Sequence, residues 1–162
     1  MMSCARFGQF EASVEELSIS WEEMTINLEM LNGEAIKEQT NLNKLADQIP
    51  LKTISAFRFG ENYLEPSDQL VSKFIGHKST FDEMVEDIRL FTKQCETRAQ
   101  SLSAIQQQFS EGQLPVNIQD EIRMLNGFLN DNQKKITDWR DQIKVVAGQC
   151  QKTGETIIEL ND

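Results

Sequence analysis

The side chains that could do chemistry are few: one histidine, His77, and three cysteines, Cys4, Cys95 and Cys150. A thiolate beside an imidazole is the nucleophile of some enzymes, so a His–Cys pair is the first arrangement to consider. Metal ligands recur at short spacings in protein sequences, and this chain contains no CxxC and no HxxxH. It contains no GxGxxG, P-loop or GxSxG motif either. The sequence therefore predicts no metal site and no cofactor.

Composition and charge narrow the classes of partner and compartment. The chain has 162 residues, with 16 Lys and Arg against 26 Asp and Glu, for a net charge of -10. This balance disfavours nucleic acid and anionic membrane surfaces, because both present phosphate charges that basic side chains must neutralise. The odd cysteine count argues against a disulfide framework, and no apolar run approaches the roughly 18 residues of a membrane span. With no secretory signal at the N-terminus, we expect an intracellular protein, either cytoplasmic or associated with the nuclear envelope.

Apolar residues recur at alternating gaps of three and four along three stretches of the chain. Such positions are apolar in eleven of twelve, ten of twelve and eleven of thirteen cases, counting Cys95 and Cys150 as apolar. A spacing that averages 3.5 residues over about six heptads is typical of coiled coils with a left-handed supercoil. We call each set of positions a seam. Seam 1 comprises Phe10, Val14, Leu17, Trp21, Met24, Leu28, Leu31, Ala35, Glu38, Leu42, Leu45 and Ile49. Seam 2 comprises Leu70, Phe74, His77, Phe81, Met84, Ile88, Phe91, Cys95, Arg98, Leu102, Ile105 and Phe109. Seam 3 comprises Ile118, Ile122, Leu125, Leu129, Asn132, Ile136, Trp139, Ile143, Val146, Cys150, Thr153, Ile157 and Leu160.

Helix-breaking residues separate the three seams. Pro50 ends the first helix, and Pro66 begins the second with Ser67 as its predicted N-cap. Gly112 and Pro115 mark a turn of four or five residues, which can only join antiparallel neighbours. The helices and the link are therefore predicted at about 9–49, 50–66 (link), 67–111 and 117–160, with Asn117 capping the third helix.

These segments predict an all-α fold in a single domain over residues 1–162. Three long antiparallel helices, arranged up-down-up, form a coiled-coil bundle, and each is roughly 60–65 Å long at 1.5 Å per residue. The link contains apolar residues of its own, so we expect it to be a short helix or irregular. The three seams can bury one another, or they can be contributed to a bundle shared with other chains. The second arrangement would place these residues at a partner interface: Trp21, Met24, Leu28, Leu31, Phe81, Met84, Ile88 and Phe91.

Four polar residues interrupt the seams: Glu38, His77, Arg98 and Asn132. Single polar residues at seam positions set the register and the oligomeric state of coiled coils, at some cost in stability, or lie at a solvated edge. We expect one of these roles, and not a shared polar site.

The antiparallel hairpin of the second and third helices predicts which residues lie opposite. It places Arg98 near Leu129, Cys95 near Asn132, and His77 near Cys150. A bundle core supplies no cleft, no oxyanion donors and no third group to orient the imidazole, so the last pair is not expected to catalyse a reaction. The sequence predicts that the protein is not an enzyme.

Charge is concentrated in the first predicted helix. Residues 9–49 carry nine acids and two bases, whereas the later helices are closer to balance. The first helix is therefore either a docking surface for a basic partner or the most exposed helix of the bundle.

Three stretches resemble a known family: 40–45 (TNLNKL), 80–105 (TFDEMVEDIRLFTKQCETRAQSLSAI) and 117–136 (NIQDEIRMLNGFLNDNQKKI). Together with helix order and spacing, they make residues 20–150 resemble the structured coiled-coil region of the central-channel FG nucleoporins. That resemblance implies a scaffold segment that pairs with two other helical subunits, and it implies no catalytic residues. This chain departs from the family in having only two isolated FG dipeptides, at Phe7 and Phe59, and no FG-repeat tract.

We therefore expect a non-enzymatic coiled-coil scaffold or interaction subunit that binds other helical proteins as a homo- or hetero-oligomer. The alternative is the soluble component of a membrane-active helical bundle of the pore-forming type, whose seams open onto lipid. The acidic faces and the absence of an apolar hairpin count against that alternative.

Overall fold

The structure, a computed structural model, describes residues 3–49 and 66–160. Three α-helices account for nearly all of them: α1 (Ser3–Gln48), α2 (Pro66–Ser110) and α3 (Ile118–Glu159). They pack against one another in an all-α bundle, which confirms the predicted fold class. The predicted short helix of the link lies outside the described residues.

Helix α1 begins six residues before its predicted start. Phe7, one step of three before Phe10, extends the spacing of seam 1 toward the N-terminus. Its ring packs against Phe109 of α2 with 5.0 Å between ring centroids. This aromatic contact supplies tertiary packing to a segment that the apolar count had left out.

Helix α2 begins at Pro66, one residue before the predicted N-cap Ser67. Proline suits the first helical position, because its missing N–H would have no partner there and its fixed φ already matches the helix.

The turn between α2 and α3 ends α2 with a Schellman motif. The Gln113 N–H donates to the Gln108 carbonyl at 2.8 Å, and the Gly112 N–H donates to the Phe109 carbonyl at 2.9 Å. Gly112 has φ of 71°, a left-handed conformation that costs a glycine little because it has no Cβ. At the start of α3, the Asn117 carbonyl accepts the first helical hydrogen bonds, from the N–H groups of Asp120 and Glu121.

The seams form the core of the described residues. Nine positions of each seam are buried. The structure adds Val71 and Ala147 to this core, and Gly154 is buried as well. Small residues carry little hydrophobic signal, so the sequence favoured Val146 and Thr153, which are only half-buried, over Ala147 and Gly154.

The prediction for the last seam position was wrong. Leu160 is 62% exposed, because α3 ends at Glu159 and Leu160 lies in the following turn.

The chain divides into two compact units, each built from segments of all three helices. The first unit comprises residues 1–30 and 89–137, and the second comprises residues 31–88 and 138–162. The expectation of a single domain stays a prediction.

Contacts within the first unit give the helix directions. Phe7 and Ser18 of α1 contact Phe109 and Gln106 of α2, so residue numbers rise along α1 as they fall along α2. In the second unit, the Gln39 side-chain amide of α1 donates to Asp82 of α2 at 2.9 Å. These polar contacts lie at the edges of the core.

Candidate interaction surfaces

The eight residues predicted to face a partner lie in the core of the chain's own bundle. Each is at most 7% exposed, and Leu31, Phe81 and Ile88 are fully buried. Their side chains therefore stabilise this fold, and a partner could reach them only if the helices separated. A role for them in a shared bundle stays a prediction.

The four polar seam residues do not form one site. No polar or charged side chain of the described residues is buried. Glu38, His77 and Asn132 are half-buried, and Arg98 is exposed. The Asn132 side-chain amide donates to the Phe128 carbonyl, one turn back in its own helix, at 2.8 Å. Their partial exposure places these positions at the edges of the seams. A role for them in setting register stays a prediction.

Three aromatic residues of the first unit form a stack that joins all three helices. Phe128 of α3 lies between Trp21 of α1 and Phe91 of α2, with centroid distances of 5.8 and 5.7 Å. The interplanar angles are 22° and 15°, so the rings lie nearly parallel. We call these three residues the aromatic stack. Such pairs contribute about 0.5–1.5 kcal/mol each beyond their buried area.

Two cations lie over rings of the aromatic stack. The Arg98 guanidinium lies 4.4 Å from the Phe128 ring centroid, and the Lys135 ammonium lies 5.1 Å from the Phe91 centroid. Arg98 was predicted to lie near Leu129, and Phe128 is the preceding residue. This contact lies within one residue of the predicted register of the α2–α3 hairpin, and it gives the polar interruption at Arg98 a structural partner.

The two described thiols are buried and protonated at neutral pH. Burial raises the pKa of Cys95 from 9.0 to about 11, against the nearby charges of Arg98 and Lys135, while Glu96 adds to the rise. Burial raises the pKa of Cys150 to about 11 as well. A nucleophilic cysteine needs the opposite shift, toward the thiolate.

Cys150 sits in the second unit, opposite the stretch of α2 that contains His77. Its Sγ donates to the Phe74 carbonyl at 3.9 Å, and the charges that act on it are Lys78, which lowers its pKa, and Asp82, which raises it. Thus Cys150 contacts α2 one turn from His77, at a backbone carbonyl. A reacting thiol would be activated by an imidazole base, so this contact does not prepare Cys150 for nucleophilic attack.

In the second unit, Gly154 of α3 allows the three helices to pack closely. A Cβ added to Gly154 would lie 2.6 Å from Leu45 Cδ2 and 2.9 Å from the Phe74 ring. At Gly154, side chains of α1 and α2 therefore fill the space that a Cβ would need. Alanine at this position would require Leu45 and Phe74 to move.

A surface cavity of about 620 Å³ lies beside the α2–α3 turn in the first unit. Its walls include Arg98 and Gln108 of α2, Val116 of the turn, and Met124 of α3. Val116 is fully exposed and Met124 is 60% exposed, so the cavity is an open groove with a mixed polar and apolar lining.

Helix α1 has a second apolar line, on the side opposite seam 1, that was not predicted from the sequence. Ile19, Ile26 and Met30 are 56%, 50% and 55% exposed. Their spacing of seven and then four residues keeps them on one side of a helix. This spacing was visible in the sequence, but the strong seam signal and the intervening glutamates obscured it.

In the part of the chain that the structure describes, no helix has a segment both long and apolar enough to cross a membrane. Nor do three His, Cys, Asp or Glu side chains within the described residues gather closely enough to hold a metal ion.

No protein-family model, no curated protein and no solved structure matches this chain.

Proposed function

We propose that this protein is a non-enzymatic coiled-coil scaffold subunit that binds other helical proteins within a multi-protein assembly. The observation that carries the proposal is the length and regularity of the helices. They span 46, 45 and 42 residues, each with a seam that repeats along it. Long regular helices present extended lateral surfaces, on which partner helices can pack over many turns.

The surface of the bundle supports the same role. Large apolar side chains are exposed on every helix, among them Ile19 and Ile36 on α1, Leu90 on α2, and Met124 and Val145 on α3. Single exposed apolar residues are ordinary, but a line of them along a long helix is a feature of interaction surfaces. The proposal assigns no catalytic residue and no cofactor.

The resemblance to the coiled-coil region of FG nucleoporins suggests the setting of the assembly. We propose an intracellular location, in the cytoplasm or at the nuclear envelope, and an assembly similar to the nuclear pore. Other helical subunits would be the partners.

Co-expression tests the proposal. The chain is produced with coiled-coil subunits from the same source, and the mass of each purified product is measured by light scattering after gel filtration. We expect a complex of defined stoichiometry with at least one helical subunit. A chain that elutes alone with every helical candidate would contradict the proposal. Co-flotation with neutral or anionic liposomes would instead support the membrane-active alternative.

A further inference from the structure

The outer face of α1 in the first unit combines exposed apolar residues with acidic ones. We define this face by Ile19, Ile26 and Met30, each half or more exposed, and by the glutamates beside them. On a helix of 3.6 residues per turn, the three apolar residues lie within about 20° of one line, and glutamates lie on both sides of it. These glutamates are Glu11, Glu15, Glu16, Glu22, Glu23 and Glu29.

The face carries no compensating positive charge of its own. No Lys or Arg occurs in the sequence between Arg6 and Lys37. Among the described residues, no basic side chain makes an ion pair with any of the six glutamates. By contrast, Glu34, just beyond the face and in the second unit, has Arg140 at 3.9 Å.

This arrangement is unfavourable in the isolated chain. Like charges three or four residues apart on a helix repel each other, and Glu11 and Glu15 form such a pair. Glu22 and Glu29, which are two turns apart, repel each other more weakly. Half-exposed isoleucine and methionine side chains also leave apolar surface in water. A partner that covered the apolar line and brought positive charge would relieve both costs.

We propose that the outer face of α1 docks a basic amphipathic helix of a partner protein, an inference that rests on the proposed scaffold function and specifies one of its surfaces. The partner's apolar side chains would pack on Ile19, Ile26 and Met30, and its Lys or Arg side chains would pair with the flanking glutamates. The seven-residue step from Ile19 to Ile26 is the step of a coiled-coil seam, so a helix fits this line better than an extended strand does. From Glu11 to Met30 the face is roughly 30 Å long, which corresponds to a docked helix of about 20 residues.

Two other occupants fit the face less well. A second copy of this chain would bring its own six glutamates against these six, and like charges across an interface oppose association. An anionic membrane would be repelled in the same way. Both occupants are outcomes that the experiment can detect.

The probe is a fluorescein-labelled peptide of 21 residues, with Leu at alternating steps of three and four and with Lys or Arg at the remaining positions. Binding to the full chain is measured by fluorescence anisotropy. Two control peptides accompany it: one with the same composition in scrambled order, and one with every base replaced by Glu. We expect the amphipathic basic peptide to bind at least about tenfold more tightly than either control, and to bind more weakly as salt rises.

Variants locate the binding site. The triple variant Ile19→Ser, Ile26→Ser and Met30→Ser should weaken peptide binding about tenfold or more, because it removes the apolar line. The control variant Leu90→Ser with Met124→Ser changes exposed apolar residues of α2 and α3 in the same unit, and should change the affinity less than about twofold. If the triple variant loses helicity by circular dichroism, the variant Glu16→Gln, Glu22→Gln and Glu23→Gln provides the test instead. It removes three charges at exposed positions and should weaken binding several-fold at low salt.

Each remaining outcome overturns the inference. For the peptide, these outcomes are absence of binding, equal binding of the scrambled peptide, and equal losses of affinity in the face and control variants. For the other occupants, they are dimerisation of the chain through this face and face-dependent binding to phosphatidylglycerol vesicles. Failure here is distinguishable from failure of the scaffold function. If co-expression yields a complex whose stability the triple variant leaves unchanged, the scaffold function stands and its partner docks elsewhere.

Discussion

The two units are built from the same three helices, but they fill their cores differently. In the first unit, three rings meet where Phe128 lies between Trp21 and Phe91, and the charges of Arg98 and Lys135 cap the stack. The rest of the buried core in this unit is mostly aliphatic, for example Leu28, Leu125 and Leu129.

In the second unit, small residues bring the helices together. Ala35, Ala147 and Cys150 are buried, and Gly154 lies against Leu45 and Phe74 with no room for a methyl group. One heptad pattern can therefore hold two kinds of packing, because the spacing decides which face is buried and side-chain size decides how closely the helices approach.

Removing a ring from the aromatic stack should have the largest effect. We expect Trp21→Ala to lower the free energy of unfolding by about 3–5 kcal/mol, because it leaves a cavity among side chains that cannot fully collapse. Urea denaturation followed by circular dichroism measures the change. Ile26→Ala, on the exposed side of the same helix, is the control and should change stability by less than about 1 kcal/mol. Equal losses in the two variants would show that the stack is not a core element.

The close packing of the second unit predicts opposite signs for two glycine substitutions in α3. Gly154→Ala should destabilise the protein by about 1–2 kcal/mol, since the clash with Leu45 and Phe74 outweighs the gain in helix propensity. Gly148→Ala should stabilise it by up to about 1 kcal/mol, because no atom lies within 4 Å of the added methyl group. Thermal and urea denaturation of both variants check the signs. If Gly154→Ala proves as stabilising as Gly148→Ala, the helices are not held this closely.

Both units contain a buried thiol, and each predicts a loss of stability in alkali. The pKa of Cys95 and of Cys150 rises from 9.0 in the unfolded chain to about 11 in the folded protein, because burial disfavours the thiolate. Between these values the unfolded chain releases protons that the folded protein retains. The stability that each buried thiol contributes is therefore complete below pH 9 and is lost as pH rises toward 11. By pH 10, the free energy of unfolding should have fallen by about 1 kcal/mol per thiol.

Urea denaturation at pH 8 and pH 10 measures this loss. The variant Cys95→Ala with Cys150→Ala shares every other titrating group, so it should lose less stability than the parent chain over the same interval. A parallel decline in both proteins would mean that the thiols ionise normally. Rapid reaction of Cys150 with a thiol reagent at neutral pH would contradict the buried, protonated state.

The smallest expected effect belongs to the cation above the aromatic stack. A double-mutant cycle with Arg98→Gln and Phe128→Leu should give a coupling free energy of about 0.5–1 kcal/mol, as for cation–π pairs at exposed sites. The control is a second cycle that combines Lys93→Gln with Phe128→Leu, since Lys93 is an exposed lysine of the same helix. Coupling of the same size with Lys93 would indicate a general charge effect and not a contact with the ring.

The sequence predicted the helices and their buried faces well, because each seam repeats over a dozen positions and errors at single residues do not change the phase. It could not place Ala147 or Gly154 in the core, since what buries a small residue is the distance between neighbouring helices. It also could not decide whether residues such as Phe81 meet their own chain or a foreign one, because both arrangements produce the same spacing.

For the candidate docking face, the acidic charge was predicted from the sequence, but the exposed apolar line was not. The excess of acids in the first helix indicated a surface for a basic partner. The line of Ile19, Ile26 and Met30 became evident only once seam 1 was seen to be buried and these three side chains exposed.

The central claim is that the three seams close on one another within one chain, which leaves outer faces such as that of α1 for partners. The most direct test is the mass of the purified chain in solution, measured by sedimentation equilibrium over a hundredfold range of concentration. We predict a folded, highly helical species with the mass of one chain at every concentration. A stable dimer or trimer that dissociates only when the helices unfold would contradict the claim, because the seams would then be shared between chains.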